Sequence, residues 1–264
     1  GRIMTVPVHI GGNVRDFVFD TGAAQFNFVS ERFARENGIR MIADSIPVAG
    51  IGRGWVGLGV ADSLAVGGIV MRNPVFLISP PDQVTDTIEV ISAVLGNAFM
   101  RKAERFTIDN RTRHIVFPAE RTLHADGTER MANMMLNSFQ PYVRIHADGI
   151  PLLFHFDTGN VATTLYPPYY ELFREQVDSC GVEDTVRIGG FAGVAENVCY
   201  RLPSVEFTLE GIPFTLRDID VLPSGSAGAT AGSEAGSLGT DFATAFDTLT
   251  VDYTSCTVRG ENVP

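Results

Sequence analysis

The residues best suited to chemistry in this chain are two aspartates, each opening the same tripeptide. Asp20-Thr21-Gly22 follows the apolar run Phe17-Val18-Phe19, and Asp157-Thr158-Gly159 follows Phe154-His155-Phe156. Two carboxylates held close together at the ends of buried strands cannot both ionise, so they share a proton and titrate as a coupled pair. The ionised member can deprotonate a water while the protonated member donates to a carbonyl oxygen. That division of roles suits amide hydrolysis without a metal or a covalent intermediate. The flanking residues have reasons of their own. A threonine hydroxyl can bond backbone in the facing loop, and glycine permits a sharp turn that leaves its N–H pointing at the carboxylate.

The segments that must position these aspartates also recur. Asp157 follows Asp20 by 137 residues, and at the same offset Val6-x-Val8-x-Ile10-x-Gly12 meets Val143-x-Ile145-x-Ala147-x-Gly149. Both are alternating strand patterns closed by a turn glycine. Further on the offset is 143, where Leu95-Gly96-x-x-Phe99 meets Leu238-Gly239-x-x-Phe242 and Phe106-Thr107-Ile108-Asp109 meets Leu249-Thr250-Val251-Asp252. Gly68-Ile69 likewise meets Gly211-Ile212. A repeat of this extent predicts an all-β protein built from two homologous lobes with few short helices. The lobes are expected at residues 1–120 and 139–264, joined by a polar linker at 121–138.

Composition narrows the class. The 264 residues are 45% hydrophobic and 19% charged, as in ordinary globular proteins. A net charge of −11 argues against nucleic acid or an anionic membrane surface as partner, because both demand clustered Lys and Arg. No apolar run approaches the roughly 20 residues needed to span a bilayer. The chain opens almost directly into a strand, as a trimmed or mature chain would. Cys180, Cys199 and Cys256 fit no zinc spacing. They read either as one disulfide, Cys180–Cys199, with an odd thiol, or as three unpaired thiols.

Helical signals are few. Ser30 can cap Glu31–Glu36 before Asn37-Gly38, and Pro167-Pro168 suits the first turn of a helix over Tyr169–Arg174. Short helices are also expected at Asn97–Lys102 and Thr240–Phe246. Residues 224–237, rich in Gly, Ser and Ala, read as a loop.

The paired triplets resemble the aspartic peptidases of the pepsin/retropepsin clan. A second element of that family's pattern, two apolar residues and a glycine, is matched by Val94-Leu95-Gly96 and more weakly by Ser237-Leu238-Gly239. The first loop continues as Asp-Thr-Gly-Ala, as in retropepsins. The resemblance implies a compact single-chain member with two β-barrel-like lobes and a cleft between them. Asp20 and Asp157 would be its catalytic dyad, supported by Thr21, Gly22, Thr158, Gly159 and Asn160. It also implies a β-hairpin flap over a polypeptide substrate, for which Gly50, Ile51, Gly52, Gly54 and Trp55 are the candidates. Neither a cofactor nor a metal is implied. A monomer is expected, because both lobes lie in one chain, and the family's habit points to a periplasmic or secreted protein.

The two halves depart from each other at informative places. Asn160 stands where the family has a small residue, and either its amide donates to the outer oxygen of Asp157 or its bulk alters the loop. Ala23 offers Asp20 no side-chain donor. His155 replaces the apolar Val18 on the same strand face as the aspartate, and reads either as tuning the dyad or as a hydrogen-bonded core histidine. Trp55 either walls the cleft or packs into the first lobe. Fewer donors to the carboxylates predict activity at mildly acidic to near-neutral pH. The competing reading is a catalytically silent protein of the same fold that binds or inhibits through peptides. A phosphate-binding loop is disfavoured by the scarcity of helices.

Overall fold

The computed structural model describes residues 2–50, 52–80, 92–118, 132–190, 193–226 and 232–262. Strands dominate, and the helices are a single turn or two long. None of the helices among the described residues is long and apolar enough to cross a membrane.

Two large sheets share one topology. The first runs, from one edge, Arg40–Gly50, Gly52–Val60, Val75–Ser79, Asn27–Ser30, Ala93–Leu95, Asn13–Phe19, Thr5–Ile10, Ser63–Val66 and Ile69–Arg72. The other runs Val182–Gly190, Gly193–Leu209, Ile212–Val221, Thr164–Leu165, Gly236–Leu238, Ile150–Phe156, Gln140–Ala147 and Met134–Asn137. From the hairpin at one edge as far as Thr5–Ile10 or Gln140–Ala147, the order is the same strand for strand.

The registers repeat too. Phe19 pairs with Leu95, and Phe156 with Leu238. His9 pairs with Ala65, and His146 with Thr208. These are the sequence offsets of 137 and 143 written in hydrogen bonds. One detail departs from them. Gly96 N–H donates to the Asn27 side chain and Gly239 N–H to that of Thr163, so the second loop is one residue shorter just after Asn160.

A four-stranded sheet joins the halves in the order His114–Val116, Arg105–Asp109, Thr248–Asp252 and Thr257–Glu261. Arg105 pairs with Asp252 and Asp109 with Thr248, which leaves Thr107 opposite its own repeat equivalent, Thr250. Their hydroxyls are 2.8 Å apart. A residue meets its own equivalent across an antiparallel ladder only on a local two-fold axis.

The helices lie close to where the sequence puts them. Ser30 caps Glu31–Glu36 by accepting from Phe33 N–H at 3.1 Å. The others are Asn97–Ala103, Pro167–Leu172 and Thr240–Ala243, the last shorter than expected. Arg174–Cys180 is a further helix. It has no side-chain cap and buries only Val177, so its sequence carries neither a start signal nor an apolar stripe. Within the stretch expected as a linker, Met134–Asn137 is a strand pairing with Gln140–Val143. As an edge strand it buries Met134 alone and lacks a clean alternation. Residues 121–131 of that linker lie outside the described residues. The three cysteines are free thiols, which removes the disulfide alternative.

Aromatic residues anchor the strands that carry the aspartates. Phe19 meets Phe106 edge-on at 4.9 Å, and Phe156 meets Phe242 edge-on at 5.3 Å. Each of these four rings is fully buried, and burying a phenylalanine stabilises the fold by about 1.5–3 kcal/mol. The last residue before each aspartate is thereby fixed in the core.

Candidate active site

Each aspartate begins where a parallel ladder ends. Asp20 N–H donates to Leu95 C=O at 3.1 Å, and Asp157 N–H to Leu238 C=O at 2.9 Å. Beyond that point the chain leaves the sheet, and the two loops face each other.

The threonines lock the loops through a reciprocal set of hydrogen bonds. Thr158 Oγ1 accepts from Thr21 N–H at 3.0 Å and donates to Phe19 C=O at 2.6 Å. Thr21 Oγ1 accepts from Thr158 N–H at 3.0 Å and donates to Phe156 C=O at 2.7 Å. Both side chains are fully buried, so four backbone groups depend on two hydroxyls. Valine would fill the same space and satisfy none of them.

The glycines are required by proximity more than by the turn. A Cβ on Gly159 would sit 2.7 Å from Asp20 Cγ, and one on Gly22 would press still closer on the carboxyl of Asp157. Each loop therefore lays a bare backbone against the aspartate of the other loop. The N–H groups also behave as the sequence predicts. Gly22 donates to Asp20 Oδ1 at 2.7 Å, and Gly159 donates to Asp157 Oδ1 at 2.9 Å. Ala23, which has no side-chain donor, supplies its own N–H to Asp20 Oδ1 at 3.0 Å. Asn160 Nδ2 donates to the other oxygen, Asp157 Oδ2, at 2.8 Å.

Each carboxyl abuts the glycine of the other loop, and burial raises the pKa of both. Asp20 is raised well above the usual carboxylate value, first by burial and then by the charge of Asp157. For Asp157 the Asp20 side chain and the donors Gly159 and Asn160 oppose the effect of burial. The two carboxyls therefore titrate as one pair, with Asp20 the more strongly raised member.

These are the features that an acid/base pair requires, and one comparison bears on them. Residues 6–99 match the model of an aspartyl protease family. That family is one of the aspartyl proteases of the pepsin/retropepsin clan. The aspartyl protease match includes Asp20-Thr21-Gly22 and Val94-Leu95-Gly96, and it stops before the second triplet. No curated protein matches the chain.

The first loop of the matched segment is held by residues whose role the sequence alone does not mark. Asn97 Nδ2 donates to Thr21 C=O at 2.6 Å and to Ala23 C=O at 2.9 Å, while its Oδ1 accepts from Tyr253 O–H at 2.6 Å. Gln140 Nε2 donates to Gly22 C=O at 2.5 Å. Asn97 directly follows Val94-Leu95-Gly96, so its position was a usable signal. Tyr253 and Gln140 act from the far half of the chain and leave no local one.

The remaining candidates divide. Gly50 and Gly52 form the last pair of the hairpin Arg40–Gly50/Gly52–Val60, and Gly54 pairs with Val48. Ile51 lies outside the described residues. A matching hairpin in the other half closes with Gly190 opposite Gly193. Trp55 is 62% exposed, so it does not pack into the first half.

His155 lies two residues before Asp157, on the same face of the strand Ile150–Phe156. Burial lowers its pKa. Its Nε2 is buried without a hydrogen-bond partner, which corrects the expectation of a satisfied core histidine.

Proposed function

We propose that this protein is a two-lobed aspartic endopeptidase whose dyad is Asp20 and Asp157. The observation that carries the reading is the reciprocal threonine lock. It joins two Asp-Thr-Gly loops, only one of which falls in the family match, with each glycine laid against the other loop's carboxyl. In this reading one lobe ends near residue 118 and the other starts at Met134. The cleft between them takes an extended polypeptide beneath the hairpin of Arg40–Gly50 and Gly52–Val60, with Gly50, Gly52, Gly54 and Trp55 toward its tip. A single chain holds both halves of the site, so a monomer suffices.

The chemistry follows from the proton positions. Asp157, ionised, takes a proton from a water whose oxygen attacks the scissile carbonyl carbon. Asp20 gives its proton to the carbonyl oxygen, leaving a neutral gem-diol. Asp157 then passes its proton to the amide nitrogen while Asp20 takes one from a diol hydroxyl. The C–N bond breaks, a carboxylic acid and an amine leave, and the dyad returns to its starting state. Asn160 and Gly159 favour the ionised form of Asp157.

The pH dependence of kcat/KM for an unstructured peptide tests this division of roles. A bell is expected, with its maximum between mildly acidic and neutral pH, because burial raises both carboxyls. A maximum below about pH 3, or a rate that climbs without an alkaline limb, would overturn it.

A further inference from the structure

A cavity of about 690 Å³ opens between the strand Thr5–Ile10 and the hairpin of Arg105–Asp109 and His114–Val116. That volume lies within the roughly 300–1,000 Å³ in which proteins usually hold small molecules. None of the lining residues belongs to an Asp-Thr-Gly triplet, to the threonine lock or to the hairpin of Arg40–Gly50 and Gly52–Val60. The site described above therefore does not account for it.

The lining is divided by chemistry. Val6, Val66 and Ile108 come from the core, while Ile3, Ile115 and Phe117 pack against core residues and stay only partly buried. Together they give the cavity an apolar wall. The charge left free beside that wall is positive. Arg2, Arg113 and His114 are exposed and make no side-chain hydrogen bond or ion pair among the described residues. Asp109, the one acid in the lining, is already engaged. Arg111 Nε and Nη2 each reach one of its oxygens at 3.3 Å, and Arg111 N–H donates to Oδ1 at 3.0 Å. The amide of Asn110 is also taken, donating to Ala243 C=O at 2.8 Å and Phe246 C=O at 2.7 Å. In a chain of net charge −11, an apolar cavity flanked by unpaired cations calls for an anion with an apolar body.

Arg113 stands there at a cost to the backbone. Its φ of 59° lies in the left-handed region, which glycine enters freely and arginine does not. Glycine would form this turn with less strain, so the turn does not explain the guanidinium.

We propose that this cavity binds a straight-chain monocarboxylate, with the alkyl tail against Val6, Ile108 and Phe117 and the carboxylate at the guanidinium groups of Arg2 and Arg113. A guanidinium presents a planar fork of donors that matches the two oxygens of a carboxylate. The occupant accepts hydrogen bonds and has none to donate, which suits a lining whose one carboxylate is taken. A peptide suits it less well, because its buried N–H groups would go unpaired. The proposal does not depend on the dyad reading.

Isothermal titration calorimetry of the whole chain with octanoate tests it. One saturable site is expected, with affinity rising about fourfold for each methylene added between butanoate and octanoate. Octanamide, which keeps the tail and lacks the charge, should bind at least tenfold more weakly. Arg113→Gly should weaken octanoate binding at least tenfold and leave octanamide binding unchanged. Its Tm should match or exceed that of the wild type, because glycine suits the left-handed turn. Arg2→Gln should weaken octanoate in the same way and carries the test if Arg113→Gly does not fold. Absence of saturable octanoate binding, affinity that ignores tail length, or wild-type affinity in both variants would overturn the site. N-acetyl-dileucine binding as tightly as octanoate would overturn the choice of an alkyl occupant.

Discussion

Replacing Thr158 by valine isolates the contact on which the paired site depends. The hydroxyl accepts from Thr21 N–H at 3.0 Å and donates to Phe19 C=O at 2.6 Å, and the residue is fully buried. Valine keeps the shape and leaves both backbone groups without a partner or water. At about 1–3 kcal/mol for each unpaired group, the loss in stability should be about 2–6 kcal/mol. For a chain near this size each kcal/mol moves Tm by about 2–4 °C, so a fall of roughly 5–20 °C is expected. Thr158→Ser keeps both bonds and gives up one methyl, at about 1 kcal/mol. Thermal and denaturant unfolding of the two variants, side by side, measures the difference. The double variant Thr21→Val/Thr158→Val should lose less than the two single losses together, because once one hydroxyl is gone the facing loop is already loosened. A valine variant within 1 kcal/mol of the serine variant would refute the lock.

Three further outcomes follow from the same geometry. Gly22→Ala and Gly159→Ala each drive a methyl into the opposing aspartate, so peptide hydrolysis should fall by at least two orders of magnitude, whereas Gly54→Ala, with open space around its Cβ, should leave stability unchanged. Asp20 has a raised pKa, so its contribution to stability is present below its ordinary value of 3.8 and is lost as pH rises through the folded value. Asp20→Asn should therefore melt higher than the wild type at pH 7, with the gap shrinking toward pH 3. Asn160→Ala removes a donor to the ionised Asp157, so the acid limb of the pH–rate profile should move to higher pH while the alkaline limb stays in place.

Much of this architecture was legible because duplication writes itself twice. The offsets of 137 and 143 reappear as pairing registers, and the strands before each aspartate end where the apolar runs end. Local chemistry also predicted the Ser30 cap, the glycine N–H donors and the amide of Asn160. Features set by distant contacts were not legible. Asn97 and Gln140 owe their roles to loops 76 and 118 residues away in sequence. Helix Arg174–Cys180 buries one side chain and shows no period. The reason for glycine in each triplet needed the opposing carboxyl to be placed before it could be seen.

The central claim is that Asp20 and Asp157 act as one hydrolytic pair. Its most direct test is the initial rate of hydrolysis of an unstructured protein between pH 3 and pH 8, by wild type, Asp20→Asn and Asp157→Asn, each first shown to be folded. The account predicts hydrolysis by the wild type, with a loss of at least three orders of magnitude in either variant. Hydrolysis that survives in both variants, or in one at the wild-type rate, would contradict it.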